Sequence, residues 1–196
     1  MNPRRPNSKV LLVALTTLVA ACSSSSGNRA GEHPVAQCPG ALCGILDAHN
    51  AVRAAAPSAN PPLPNLTWDE TLAGHAQAWA DTCTDNHNPN RNVNGQIVGE
   101  NMYFSSGSTP DNPSDVVDAW KQEGQNYDIA TNTCNGSAQS ASNLDCGHYT
   151  QLVWRATTSV GCGMKADCAG SWSQVWVCDY APAGNMTSNG TVQAPY

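Results

Sequence analysis

The chain has 196 residues and a formal net charge of −6, from 15 acidic and nine basic residues with its five histidines neutral. This length suits one domain with its own hydrophobic core. Three basic residues lie in a predicted leader, Arg4, Arg5 and Lys9, and the net charge falls from −6 to −9 without them. An acidic surface of this kind argues against nucleic acid or anionic headgroups as the main partner, because both carry negative charge.

The first 21 residues have the order of an export signal. The basic residues are followed by an apolar run over residues 10–19 and then by small residues before Cys22. The run is about ten residues long, too short to cross a bilayer as a helix. Val19-Ala20-Ala21-Cys22 fits a bacterial lipobox, in which the cysteine becomes the acylated first residue. We therefore predict a signal peptide over residues 1–21 and lipidation at Cys22. The alternative is an ordinary cleaved signal in which Cys22 is incidental.

The chain has nine cysteines, and eight remain once Cys22 is assigned to lipid. An even number in an exported chain predicts up to four disulfides and an oxidising compartment. Residues 22–37 are polar and predict a flexible, lipid-anchored linker before a folded domain over residues 38–196. We expect a cell-envelope lipoprotein or an extracellular protein. Ser23, rather than Asp, favours the outer membrane if the organism has two membranes.

Apolar periodicity predicts helices along the domain. One runs from Leu42 and stops before Pro57, and a second begins near Asp69. A third begins with a cap at Asn112. Its spacing places four residues on one face, Val116, Trp120, Glu123 and Tyr127.

A short segment over residues 147–154 is predicted to be helical, and residues 160–166 and 173–180 are predicted to be strands. A Ser, Asn, Gly and Thr-rich loop precedes Cys146. The order of these elements predicts an α+β fold rather than a parallel βαβ fold. None of the common catalytic signatures occurs, such as HExxH, the P-loop, the dinucleotide fingerprint or GxSxG.

One octapeptide carries a specific resemblance. Gly147-His148-Tyr149-Thr150-Gln151-Leu152-Val153-Trp154, followed by Arg155, resembles the principal signature of the CAP superfamily of cysteine-rich secretory, antigen 5 and pathogenesis-related class 1 proteins, also called the SCP domain. Further matches follow the family's order: His49-Asn50 with Arg53, Trp68-Asp69, Gly99-Glu100-Asn101, Trp120 with Glu123, and Cys178-Asp179-Tyr180. The resemblance covers residues 41–196. Within the superfamily, the chain is most similar to the plant class 1 members. Asp179 departs from it, because the family usually has Asn or another polar residue there.

The resemblance implies a disulfide-stabilised α-β-α sandwich with a central antiparallel sheet. It also implies a cleft lined by two histidines and two glutamates, which correspond here to His87, Glu100, Glu123 and His148. His87 and His148 would bind zinc or another divalent cation, while the carboxylates orient them or position a water. The alternative for Glu123 and His148 is a buried network that only holds helices together.

Other roles follow from the same comparison. His49 is expected to be structural, and His33 and His75 are expected to be exposed to solvent. Trp120, Trp154 and Trp176 are expected in the core. The family's bonding pattern implies three disulfides, Cys83–Cys168, Cys134–Cys146 and Cys162–Cys178, which leaves Cys38 to pair with Cys43, although spacing alone leaves the connectivity open.

Three functions are compatible with these features. The first is a non-enzymatic module that binds sterols, fatty acids or other small lipids, anchored to a membrane through Cys22. The second is a zinc-dependent hydrolase or protease with Glu100 or Glu123 as general base. The third is a surface interaction or virulence-type protein whose cleft is only structural, with contacts made by the loops at residues 88–96 and 105–112. The resemblance favours the first.

Overall fold

The computed structural model describes residues 40–107, 111–135 and 146–196. The predicted signal peptide, Cys22, His33, Cys38 and the linker lie outside the described residues. The four α-helices are α1 Ile45–Ala54, α2 Glu70–Ala80, α3 Pro113–Gln122 and α4 Gly147–Leu152. The strands are β1 Thr67–Trp68, β2 Asn92–Val93, β3 Gln96–Ile97, β4 Gly99–Ser105, β5 Tyr127–Asp128, β6 Thr133–Cys134, β7 Ser159–Ala166, β8 Gln174–Ala181, β9 Thr187–Ser188 and β10 Thr191–Val192.

The central sheet has the strand order β1-β7-β8-β4. β8 is antiparallel to both β7 and β4, whereas the two-residue β1 joins β7 in parallel, with Thr67 opposite Ser159. The predicted α+β fold with a central antiparallel sheet is therefore confirmed, with one short parallel strand at its edge. β4 lies at the opposite edge. Its sequence pattern did not predict a strand, and only the Gly-Glu-Asn motif at its start was distinctive.

Both faces of the sheet are covered by helices. α2 packs on β7 and β8, and α1, α3 and α4 pack against one another around the larger core cluster. Trp120, Trp154 and Trp176 are buried, as expected. Arg53 is also buried, and its guanidinium donates hydrogen bonds to the carbonyls of Pro64, Leu152, Trp154 and Thr157. This side chain therefore connects α1 to the segment before β1 and to the end of α4 with the residues that follow it.

Helix boundaries follow local chemistry. The Asp69 carboxylate accepts hydrogen bonds from the N–H groups of Thr71 and Leu72 at 2.8 and 3.1 Å, which caps α2 where the sequence predicted. α1 begins at Ile45 rather than at Leu42, because Gly44 has φ +94° and separates the helix from a 3₁₀ turn.

α3 is shorter than its periodicity predicted. It ends at Gln122, Glu123 begins a 3₁₀ turn over Glu123–Asn126, and Tyr127 belongs to β5. The expectation that Glu123 and Tyr127 continue one helical face is therefore wrong. Gly124 explains the change, since glycine is a poor helix former and a Cβ there would lie 2.8 Å from the Tyr149 ring.

Three disulfides join distant parts of the described chain. Cys83–Cys168 spans 85 residues, Cys134–Cys146 closes a loop of 12, and Cys162–Cys178 joins paired positions of β7 and β8. These are the three pairs that the family's bonding pattern implies. The fourth, Cys38–Cys43, stays a prediction because Cys38 lies outside the described residues. Within those residues, no helix has the length and apolar content needed to span a membrane.

Two glycines in β7 permit the close approach of α2. A Cβ on Gly161 would collide with the backbone of Ala73, and a Cβ on Gly163 would collide with the backbone of Gln77. At this contact the Gln77 amide donates to the Met164 carbonyl and accepts from the Met164 N–H, both at 3.0 Å. The helix is thus held against β7 at a distance that only glycine allows.

We predict that Gly163→Ala lowers the free energy of unfolding by about 1–3 kcal/mol, because backbone must move to admit the methyl group. Gly74→Ala is the matched control, since a methyl group on this α2 glycine would meet nothing within 4 Å and should add up to about 1 kcal/mol of stability. Urea unfolding of both variants measures the difference. Equal stability of Gly163→Ala and the wild type would contradict the packing described.

Candidate functional site

A cavity of about 490 Å³ lies along the open edge of β4. All four residues of the predicted cleft line it: His87, Glu100, Glu123 and His148. β4 supplies Glu100, the 3₁₀ turn after α3 supplies Glu123, α4 supplies His148, and the loop after α2 supplies His87. The structure thus brings together residues that are distant in sequence.

His148 and Glu123 form one half of the site. The His148 Nδ1 lies 2.6 Å from Glu123 Oε1, and the His148 backbone N–H donates to Glu123 Oε2 at 2.8 Å. The Tyr149 N–H also approaches Oε2, at 3.4 Å. The imidazole stacks on the indole of Trp120, with ring centroids 6.1 Å apart. Glu123 therefore fixes both the start of α4 and the orientation of the imidazole.

His87 and Glu100 form the other half. The His87 Nδ1 lies 2.6 Å from Glu100 Oε1, which also accepts a hydrogen bond from the Asn88 N–H at 3.0 Å. The Glu100 side chain is buried, whereas 43% of the His87 side chain is exposed. Glu100 Oε2 is buried without a hydrogen-bond partner in the part of the chain that the structure describes.

The two halves share one chemical feature. Each imidazole contacts a carboxylate through Nδ1, and this contact fixes the tautomer that keeps the Nε2 lone pair for a ligand. A histidine held by a carboxylate in this way is the usual arrangement around zinc. Each imidazole therefore leaves Nε2 available to a divalent cation, and both histidines line the same cavity. Two protein nitrogens are one fewer than the three ligands of a typical catalytic zinc site.

A second group of metal-binding residue types lies in the core, where atoms of His49, Cys162 and Cys178 approach one another within 4.8 Å. It is not a metal site, because the two sulfurs form a disulfide. The His49 Nδ1 lies 2.7 Å from the Ile45 carbonyl, and Nε2 lies 2.8 Å from the Tyr180 hydroxyl. Burial lowers the pKa of His49 to about 4, so this histidine is neutral and structural.

The expectation that His75 is exposed to solvent is wrong. Its Nδ1 lies 2.6 Å from Asp179 Oδ2, its Nε2 lies 3.1 Å from the Asn90 carbonyl oxygen, and only 21% of its side chain is exposed. The sequence did contain one signal for this contact, because Asp179 stands where the family usually has Asn.

Asp179 is a buried carboxylate beside another one. Burial raises its pKa to about 6, the Glu100 charge also raises it, and the hydrogen bond with His75 opposes the shift. Asp179 lies directly opposite Glu100 in the pairing of β8 with β4, so both side chains are on the same face of the sheet. Asp179 Oδ1, like Glu100 Oε2, is buried without a partner among the described residues.

We predict that Asp179→Asn changes the pH dependence of stability. Between pH 3.8 and about 6 the Asp179 carboxyl keeps its proton in the native state, whereas in the unfolded state it has lost it. The free energy of unfolding therefore falls as pH rises through that interval. The asparagine side chain carries no such proton, so the variant avoids this loss of up to about 3 kcal/mol. Its free energy of unfolding should therefore rise relative to that of the wild type between pH 4 and 7. Urea unfolding at a series of pH values measures the difference.

Asp118→Asn is the control for that series, because Asp118 is an exposed carboxylate of α3. It should follow the wild-type curve closely, since an exposed ion pair contributes little. Parallel curves for Asp179→Asn and the wild type would show that Asp179 is ionised throughout this range.

The chain belongs to the CAP family. A sequence model of this family, described as the cysteine-rich secretory protein family, matches residues 46–180. Among curated relatives, venom allergen 3 of Solenopsis invicta is 37% identical over 160 residues, which cover 72% of this chain and 67% of the allergen. Cysteine-rich secretory protein 2 of Cavia porcellus is 37% identical over 158 residues, covering 78% of this chain and 59% of that protein. The chain therefore spans about three fifths to two thirds of the length of these relatives.

Solved structures agree with this assignment. The structure of Schistosoma mansoni venom allergen-like protein 4 matches with a TM-score of 0.56 and 28% identity, covering 76% of this chain and 92% of that chain. The crystal structure of NaASP2 with Zn²⁺ matches with a TM-score of 0.58 and 26% identity, covering 80% and 84%. The disulfides, and relatives described as secretory, fit an exported protein.

Proposed function

We propose that this protein is an exported, lipid-anchored binding module that takes up a small ligand without converting it, with a divalent cation held in the cavity by His87 and His148. One observation carries the proposal: two histidine–glutamate pairs line the same cavity, and each pair holds its imidazole through Nδ1. The similarity to NaASP2, whose crystal structure was solved with Zn²⁺, supports the choice of cation.

A non-enzymatic role fits the site better than hydrolysis does. Glu123 accepts hydrogen bonds from two backbone N–H groups besides its contact with His148, so its oxygens are committed to structure. Glu100 Oε2 has no hydrogen-bond partner among the described residues, but it is buried. Of the two predicted general bases, Glu100 is therefore the stronger candidate if the protein is a zinc-dependent hydrolase.

Small lipids or sterols are the proposed ligands. The cavity combines the polar pairs with apolar side chains, among them Met102, Phe104 and Trp120. A second cavity of about 500 Å³ lies beside α1 and the end of α3. Its lining combines Val52, Ala55 and Ala56 with Lys121 and Asp118, which form an ion pair at 3.4 Å. Its apolar part suits the hydrocarbon chain of a small lipid.

We further propose that this protein is a bacterial lipoprotein and that its domain most resembles the plant class 1 members, as the octapeptide that begins in α4 suggested. The third function, a surface or virulence-type interaction through the loops at residues 88–96 and 105–112, stays open as an alternative.

We predict that Cys22→Ala abolishes acyl labelling and moves the protein from the membrane fraction to the soluble fraction, because its lipid anchor is lost. Fractionation after metabolic labelling with a fatty acid measures both effects. A variant that stays in the membrane fraction would show that the anchor lies elsewhere.

We predict that His87→Ala and His148→Ala each abolish measurable zinc binding by the mature protein, because a single remaining imidazole is a weak ligand. Glu123→Gln should weaken zinc binding by about 10–100-fold, since the imidazole loses the carboxylate that orients it. Isothermal titration with zinc chloride measures the affinities. His33→Ala, in the predicted linker, is the matched histidine control and should bind zinc as the wild type does.

The same variants separate the three functions when they are assayed for uptake of cholesterol and palmitate and for peptide hydrolysis. Peptide hydrolysis that requires zinc and is lost in His87→Ala and His148→Ala would contradict the non-enzymatic binding module and support the zinc-dependent hydrolase. Failure of the wild type to take up either lipid would contradict the lipid proposal and favour the surface interaction. Undiminished zinc binding by His148→Ala would contradict the proposed cation site.

A further inference from the structure

His75 connects three elements that meet beside the cavity. Its imidazole lies between Asp179 of β8 and the carbonyl of Asn90, while His75 itself belongs to α2. Asn90 is in the loop that also carries His87. We call His75, Asp179 and the Asn90 carbonyl the brace.

The hydrogen bonds of the brace require one proton more than a neutral imidazole and a carboxylate contain. The Asn90 carbonyl can only accept, so Nε2 of His75 carries a hydrogen for the 3.1 Å contact. The 2.6 Å contact between Nδ1 and Asp179 Oδ2 needs a second hydrogen. A neutral imidazole has only one N–H, so the extra proton is shared by His75 and Asp179.

We propose that this shared proton makes the brace a pH-dependent positioning device for His87. The proposal rests on the proposed function, because it concerns the affinity of the same cation site. His75 and Asp179 do not touch the bound cation. They act by holding the loop that presents one of its ligands.

Loss of the proton breaks one particular contact. The single remaining N–H of His75 bonds to the Asp179 carboxylate, because a charge-assisted hydrogen bond is stronger than one to a neutral carbonyl. The Asn90 carbonyl then has no donor from His75. The effect reaches the site over a short path, since the Asn90 N–H donates to the Asn88 side chain at 2.9 Å and the Asn88 N–H donates to Glu100 Oε1 at 3.0 Å.

The charged groups around Asp179 set the direction of this change. His75 faces it from α2, Glu100 from β4, and the guanidinium of Arg91 acts on it from the loop. Burial raises the pKa of Asp179 to about 6, so below that pH the carboxyl carries a proton of its own. The shared proton is a further one, and it leaves as pH rises because the fully deprotonated pair is a neutral imidazole beside a carboxylate. The loop is therefore held most firmly at acidic pH.

Hydrogen exchange of the Asn88 amide tests the brace without any metal. After correction for the intrinsic effect of pH, the protection factor of this amide in the mature protein should fall by up to about tenfold between pH 5 and pH 8, the equivalent of one hydrogen bond. In Asp179→Asn the amide group supplies a hydrogen to His75 Nδ1 at every pH, so the protection should stay high and constant. In His75→Ala it should be low throughout.

The Met164 amide is the internal control, because it donates to the Gln77 side chain of α2, the helix that also carries His75, and not to a group of the brace. Its protection should not vary among the three proteins. A constant protection factor for Asn88 in the wild type, or an unchanged pH dependence in Asp179→Asn, would overturn the proposal. Low Asn88 protection in His75→Ala at one pH would also follow from simple loss of packing, so the pH profile decides.

Zinc titration of the same proteins tests the link to the site. Asp179→Asn and the wild type should bind zinc equally at pH 5.5, and Asp179→Asn should bind up to about tenfold more tightly at pH 8. The ratio cancels any effect of pH on the cation site itself, which both proteins share. An affinity ratio that is constant with pH would overturn the positioning role. If neither protein binds zinc, the proposed cation site is wrong, and the Asn88 exchange still decides whether the brace exists.

Discussion

The pairing of β4 with β8 determines where every part of the site lies. It places Glu100 opposite Asp179 on the face covered by α2, and it leaves the other edge of β4 open. The open edge forms one wall of the cavity, and the turn after α3 and the start of α4 bring Glu123 and His148 to it. Without this pairing the two histidine–glutamate pairs would not line one space.

The pairing in turn depends on how closely α2 approaches the sheet. Gly161 and Gly163 in β7 leave no room for side chains between helix and strand, and the Cys162–Cys178 disulfide joins β7 to β8 at the position between them. On the opposite face, buried His49 and Arg53 satisfy their polar groups with backbone carbonyls and the Tyr180 hydroxyl. The site is therefore assembled on a closely packed sheet whose two central strands are joined by a disulfide.

Much of this could be predicted from the sequence. The octapeptide around His148 identified the family, the family indicated the four cleft residues, and the sequence predicted strands where β7 and β8 lie. The end of α3 could not be predicted from periodicity, because the fold brings Gly124 so close to the distant Tyr149 ring that a Cβ there would lie 2.8 Å from it. The environment of His75 was missed for the same reason: its partners, Asp179 and Asn90, come from separate elements that only the fold brings together.

The central claim is that each cleft histidine is held through Nδ1 so that Nε2 is available to a ligand. Long-range ¹H–¹⁵N correlation spectra of the metal-free protein at about pH 8.5, where histidine is ordinarily neutral, test it most directly. The account predicts the Nδ1–H tautomer for both His87 and His148, with Nε2 showing the nitrogen shift of an unprotonated ring atom. The Nε2–H tautomer at either residue would contradict it.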